Sequence, residues 1–169
     1  MKEIIHNKDN LMESEITEIV VRCKALIINN NNLLLANADN VLQFPGGHLE
    51  KDETLKECLI REIREETGII IDNQEVKDPI LKVISQNKDW PYKGNNRKCE
   101  IYYYVIKTTK LPNLDNIHLT KDEKEKNFKV DFIPLDESIK YIEENMPRNE
   151  KNYAISPDMI SAITEYLKA

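Results

Sequence analysis

Residues 47–69 read GHLEKDETLKECLIREIREETGI. From Thr54 to Thr67 no glycine or proline interrupts the chain, and Leu55, Leu59, Ile60 and Ile63 recur at helical spacing. This spacing predicts an amphipathic helix with one buried stripe. Asp52 and Thr54 are both suited to cap the free N–H groups at its start. Gly68 stands where a left-handed residue closes the last turn. At about 100° per residue, Glu62, Glu65 and Glu66 fall at relative angles of about 0°, −60° and +40°. Three carboxylates therefore share one helix face beside the apolar stripe.

That face breaks a local rule. Carboxylates in a last turn oppose the negative end of the helix dipole, each costing up to about 1 kcal/mol. Glu62 and Glu66 also repel as like charges at i and i+4. Arg61 and Arg64 are expected to project from the other side of the cluster and to offset only part of this. Local violations of this kind gather at functional sites. A hard divalent cation is the simplest compensation, although a bare run of helix acids is also the pattern of a solvated surface.

The wider pattern favours the cation. Gly47, Glu53, Arg61, Glu62, Glu65, Glu66 and Gly68, with Ile63 and Ile69, stand at fixed intervals as G-x5-E-x7-R-E-I-x-E-E-x-G-I. The segment resembles the Nudix box without departure, and the Nudix hydrolases cleave phosphoanhydride bonds with divalent metal. The resemblance implies an α/β fold of Nudix type, an α/β/α sandwich with a mixed sheet between helices, and residues 1–169 as one hydrolase domain. It implies Mg²⁺, with Mn²⁺ as a substitute, held by Glu62, Glu65, Glu66 and the carbonyl of Gly46. Catalysis would fall to Glu62, Glu65 and Glu66, with Gly47, Glu53 and Arg61 in support and Glu53 and Arg61 paired to brace the loop against the helix.

Composition agrees with a compact enzyme. The chain has 169 residues, a net charge of −6 and 32% charged residues. The negative balance disfavours a stable complex with nucleic acid, which needs a basic footprint. A negative protein still binds nucleotide phosphates when metal ions carry the positive charge. No stretch approaches the ~20 apolar residues of a membrane span, and residues 1–16 lack the apolar core of a signal peptide. A cytoplasmic location is expected. Three isolated cysteines, Cys23, Cys58 and Cys99, argue against a disulfide framework or a structural zinc site. Cys58 lies one turn before Glu62 and is read as a packing residue.

Outside the helix, residues 17–28 read as a long strand, Asn29–Asn32 as a turn and 33–36 as the returning strand of a hairpin. Gln43–Gly47 predicts a strand entering a tight turn. Further strands are expected at 69–71, 80–85, 99–108 and 129–134, with helices at 136–144 and 157–168.

Two loops and one strand residue are candidates for completing a site. In His118–Glu125, Glu123 and Glu125 are placed to bind metal or act as base, as related enzymes do, or to form a charged surface; His118 is read as exposed. Trp90, in Trp90–Gly94, would stack on a base or cover an apolar edge. Arg22, on an apolar strand, would reach a phosphate or face solvent. The expected substrate is a nucleotide-type small molecule, a nucleoside triphosphate or nucleotide-sugar. A non-catalytic nucleotide-binding sensor and a hydrolase of a non-nucleotide diphosphate are the alternatives. A homodimer is compatible with the sequence.

Overall fold

The computed structural model describes residues 1–113, 115, 117–146 and 155–168, with the side chains of residues 122 and 123 set aside. Its strands are β1 (Lys2–His6), β2 (Glu18–Asn29), β3 (Asn32–Ala38), β4 (Val41–Gln43), β5 (Leu81–Asn87), β6 (Arg97–Lys107) and β7 (Lys129–Pro134). Its helices are α1 (Leu55–Thr67), α2 (Lys121–Glu125), α3 (Ser138–Asn145) and α4 (Ile155–Leu167). The strands form one mixed sheet in the order β1-β5-β6-β2-β3-β4, with β7 on the other edge of β3. β1 runs parallel to β5 and β2 parallel to β6, while the remaining pairs are antiparallel.

Alternation along β2 sends its side chains to two cores. Cys23, Ala25 and Ile27 meet Leu59 and Ile63 of α1. Leu26 and Ile28 meet Ile142 of α3 and Met159, Ala162 and Ile163 of α4. The sheet therefore lies between helices, as expected for the α/β class.

The placing of the site depends on where β3 leaves β2. Their ladder covers only Ile27–Asn29 against Asn32–Leu34. Nearer its start, the same edge of β2 is taken by the turn ahead of α1. Ala25 N–H donates to Pro45 O at 2.8 Å and Cys23 N–H to Gly47 O at 3.0 Å, while Leu49 N–H donates to Val21 O at 2.9 Å. Gly46 lies within this docked turn at φ +132°, and a Cβ there would stand 2.2 Å from the Cys23 carbonyl. Only glycine fits that approach.

Some expectations are corrected. Residues 69–71 are not a strand: Ile69 and Ile71 are buried and Ile70 exposed, but among the described residues the segment joins no ladder. Its alternation reflects packing beneath α1 without a ladder. Residues 121–125 form a short helix instead of a loop. β1, unforeseen in the sequence, adds a parallel edge strand.

Candidate active site

Helix α1 is fixed at both ends. Thr54 caps it by accepting Glu57 N–H, while the Glu57 side chain accepts Thr54 N–H at 2.8 Å. Gly68 closes it at φ 70°, and its N–H donates to Arg64 O. Carbonyls of the last turn are met from the later chain: Asn113 N–H donates to Thr67 O at 2.9 Å and His118 N–H to Glu65 O at 2.8 Å. These bonds answer the unpaired carbonyls that every helix end leaves. They also bring His118, with Thr120, beside the acidic face.

The three glutamates have different surroundings. Glu66 is 4% exposed, and its Oε2 accepts Gly46 N–H at 2.7 Å. Glu62 is half-buried, and loss of water raises its pKa above the ordinary carboxylate value against the pull of Arg61. Glu65 lies farther out. A Cβ on Gly47 would stand 2.3 Å from Glu62 Oε1, so the glycine leaves the space that Glu62 occupies.

Arg61 departs from the expected position on the far side of the cluster. Its guanidinium grips Glu53 with two bonds, 2.8 and 2.9 Å, and also donates to Glu62 at 2.8 Å and Glu65 at 3.1 Å. A further bond runs from Nη2 to His48 O at 3.1 Å. The long side chain spans from the middle of α1 to its last turn, a reach that Cα angles alone underestimate. The Glu53 bonds hold the Glu53 carboxyl below the usual range.

Glu62, Glu65, Glu66, Gly46, Gly47 and Arg61 line an open cleft of about 770 Å³. Arg22 and Lys24 of β2 line it as well, with His48 and His118. Arg22 donates from Nε to His48 Nε2 at 3.0 Å, and Lys24 Nζ donates to Gly46 O and to Gln43 Oε1. Lys24 and His48 were missed in the sequence. The signal available for Lys24 was a second basic residue two positions after Arg22, which puts both on one face of the strand.

Other candidates fall elsewhere. Trp90, 51% exposed, sits in the β5–β6 loop and does not line the cleft. Glu125 is exposed on α2, 3.7 Å from Lys121, and is likewise absent from the lining. The side chain of Glu123 lies outside the described residues. Cys58 is fully buried, its Sγ 2.9 Å from Cys23 Sγ, in keeping with a packing role.

The donor set is hard oxygen: three carboxylates and a backbone carbonyl. Among the described residues, no three His, Cys, Asp or Glu side chains converge as a ready metal cage. Arg61 bonds Glu62 and Glu65, while Glu66 accepts the Gly46 N–H. Such a set fits Mg²⁺, which is commonly held by one or two carboxylates with substrate phosphates completing its shell. No helix among the described residues is long and apolar enough to cross a membrane.

Comparison with known proteins agrees with this fold. The chain is similar to a MutT protein from Methanosarcina mazei Go1, with 21% identity over 94% of this chain and 100% of that one, at TM-score 0.61. It is similar to the E. coli ORF135 protein, with 16% identity, 94% of each chain and TM-score 0.59. It also matches a bifunctional NMN adenylyltransferase/ADP ribose pyrophosphatase from Francisella tularensis, complexed with AMP and a Mn ion. That match has 25% identity over 85% of this chain and 42% of the other, at TM-score 0.53. The NUDIX domain family matches residues 20–154, which include the acidic helix, the glycine turn and Arg22. With most of its length inside that match, the chain belongs to the Nudix family and is a Nudix hydrolase.

Proposed function

We propose that the protein hydrolyses a phosphoanhydride bond in a nucleoside diphosphate linked to another moiety, with Mg²⁺ as the metal and Mn²⁺ as a substitute. A nucleoside triphosphate or nucleotide-sugar is the favoured substrate. One observation carries this reading: Glu62, Glu65 and Glu66 of α1 share a cleft with Arg22 and Lys24 of β2. Such a cleft suits a polyanion that arrives with its own counter-charge.

Glu62, Glu65, Glu66 and the Gly46 carbonyl would hold the metal. Once bound, it would neutralise phosphate charge and acidify water. The chain's own groups do the rest. Arg22 engages a phosphate oxygen as a charged donor. Glu62 accepts the proton of the attacking water, a role suited to a carboxylate whose burial strengthens its hold on a proton. Glu53 anchors Arg61, which in turn fixes the directions of Glu62 and Glu65. Glycine at 47 keeps the space beside Glu62 open.

The test is a Mg²⁺-dependent hydrolysis panel with products identified by mass. It covers ordinary and oxidised nucleoside triphosphates, ADP-ribose, NADH, dinucleoside polyphosphates, nucleotide-sugars and CoA, with Glu66→Gln as control. Turnover of one class, lost in the variant, is the expected result. Nucleotide binding without turnover of any substrate would overturn it.

A further inference from the structure

Lys24 follows Arg22 by two residues, so both side chains leave the same face of β2. Their surroundings differ. Arg22 is bonded to His48. Lys24 turns inward, where its ammonium donates to the Gly46 carbonyl and to Gln43 Oε1 at 3.3 Å. Burial pushes the Lys24 pKa down, while Glu66 and Glu62 act in the opposite direction.

These neighbours are those a hard cation seeks: a backbone carbonyl, an amide oxygen and two nearby carboxylates. The Gly46 carbonyl is also held rigidly, because the adjoining amide is bonded to Glu66 and the turn is docked on β2. An ammonium on that oxygen and a metal ion on the same oxygen compete, by charge as well as by space. The Lys24 charge adds to that of Arg61 in offsetting the repulsion between the buried Glu66 and half-buried Glu62.

We propose that Lys24 is a tethered cation that holds the Gly46 carbonyl and compensates the acidic face until a divalent ion takes that oxygen, releasing the ammonium into the cleft beside Arg22. This rests on the reading that Gly46 and the helix glutamates bind metal. By linkage, whatever the Lys24 contact contributes to the metal-free protein is subtracted from metal affinity. Lys24 is thus a positioning residue that sets how readily the site loads.

Mn²⁺ binding to wild type and Lys24→Met, without nucleotide, tests the idea through the free-ion paramagnetic resonance signal. The variant is expected to bind on the order of tenfold more tightly. Equal or weaker binding by the variant, as a mere prop for the turn would give, overturns the proposal and leaves the hydrolase reading intact. Binding by neither protein overturns the proposal, and the hydrolysis panel then decides the hydrolase reading separately. A second measurement uses wild type alone, so a misfolded variant cannot obscure the answer. Acetic anhydride labelling, mapped by mass spectrometry, should mark Lys24 several-fold faster with Mn²⁺ present, while exposed Lys51 is unchanged. Lys24 labelling that is indifferent to bound Mn²⁺ overturns the proposal.

Discussion

The carboxylate of Glu66 accepts the backbone N–H of Gly46 at 2.7 Å. This bond ties the last turn of α1 to the turn that precedes the helix, twenty residues earlier in the chain. Gly46 also lines the cleft, so its carbonyl is held on the same turn that Glu66 grips. A glutamine at 66 keeps an oxygen for the Gly46 amide but loses the charge. Glu66→Gln is therefore expected to fold normally and to lose most turnover. Glu62→Gln, which removes the proposed base, should lower kcat on the order of 10²-fold or more. Steady-state rates with circular dichroism check both, and near-normal turnover in either variant would remove that residue from the mechanism.

Adjacent glycines should answer differently to alanine. At Gly47 the three atoms nearest the added Cβ all belong to the Glu62 carboxylate, the first at 2.3 Å. Gly47→Ala should fold, displace Glu62 and lower activity by about 10–100-fold, the range seen when the support of a metal ligand is disturbed. At Gly46 the Cβ meets backbone, 2.2 Å from Cys23 O, with φ at +132°. Gly46→Ala should cost about 3 kcal/mol of stability through strain and overlap. Denaturant melts of the two variants separate these outcomes. Equal loss of stability in both would contradict the distinction.

The box helix was legible because its signals are local. Cap, apolar stripe and closing glycine all lie between Thr54 and Gly68, and each agrees with the others. The long strand β2 and the Tyr-rich β6 were legible for their β-branched and aromatic runs. What escaped depended on distant partners. β1 has five residues with charge at its start, and only its pairing to Leu81–Ser85 makes it a strand. Residues 69–71 have strand composition but no edge to join. Lys24 reads as one lysine in an apolar run, and only the docking of Pro45–Gly47 on β2 brings it to the acidic face. Arg61 was read from its Cα position, whereas its guanidinium reaches back to its own acidic neighbours.

Thr54 closes a reciprocal cap with Glu57, the two side chains each serving the other's backbone N–H, at 3.3 and 2.8 Å. Thr54→Ala removes the acceptor for Glu57 N–H and should destabilise the protein by about 1 kcal/mol. Because the cap lies at the end of α1 away from Glu62, Glu65 and Glu66, kcat should change little. Chemical denaturation measures the first effect and steady-state kinetics the second. A large kcat loss without loss of stability would mean that the helix start contributes to the chemistry.

The Glu53–Arg61 pair predicts a dependence on pH. Its two short bonds favour the ionised carboxyl, so the folded-state pKa of Glu53 lies below its unfolded value. Folding then binds fewer protons at this group, and its contribution to stability rises with pH. The contribution is complete above the unfolded glutamate pKa, near 4.3, and is lost as pH falls through the lower folded value. Glu53→Gln should therefore be less stable than wild type at pH 7 by about 1–2 kcal/mol, the scale of a charge-assisted pair that is mostly shielded from water. The gap should narrow as the solution is acidified below the ordinary glutamate range. Arg61, freed of its anchor, would also hold Glu62 and Glu65 less firmly, so the variant should lose activity at neutral pH while remaining folded. Paired denaturation curves from pH 7 to pH 3 make the check. A difference between the two proteins that does not vary with pH would show that Glu53 serves packing and not charge.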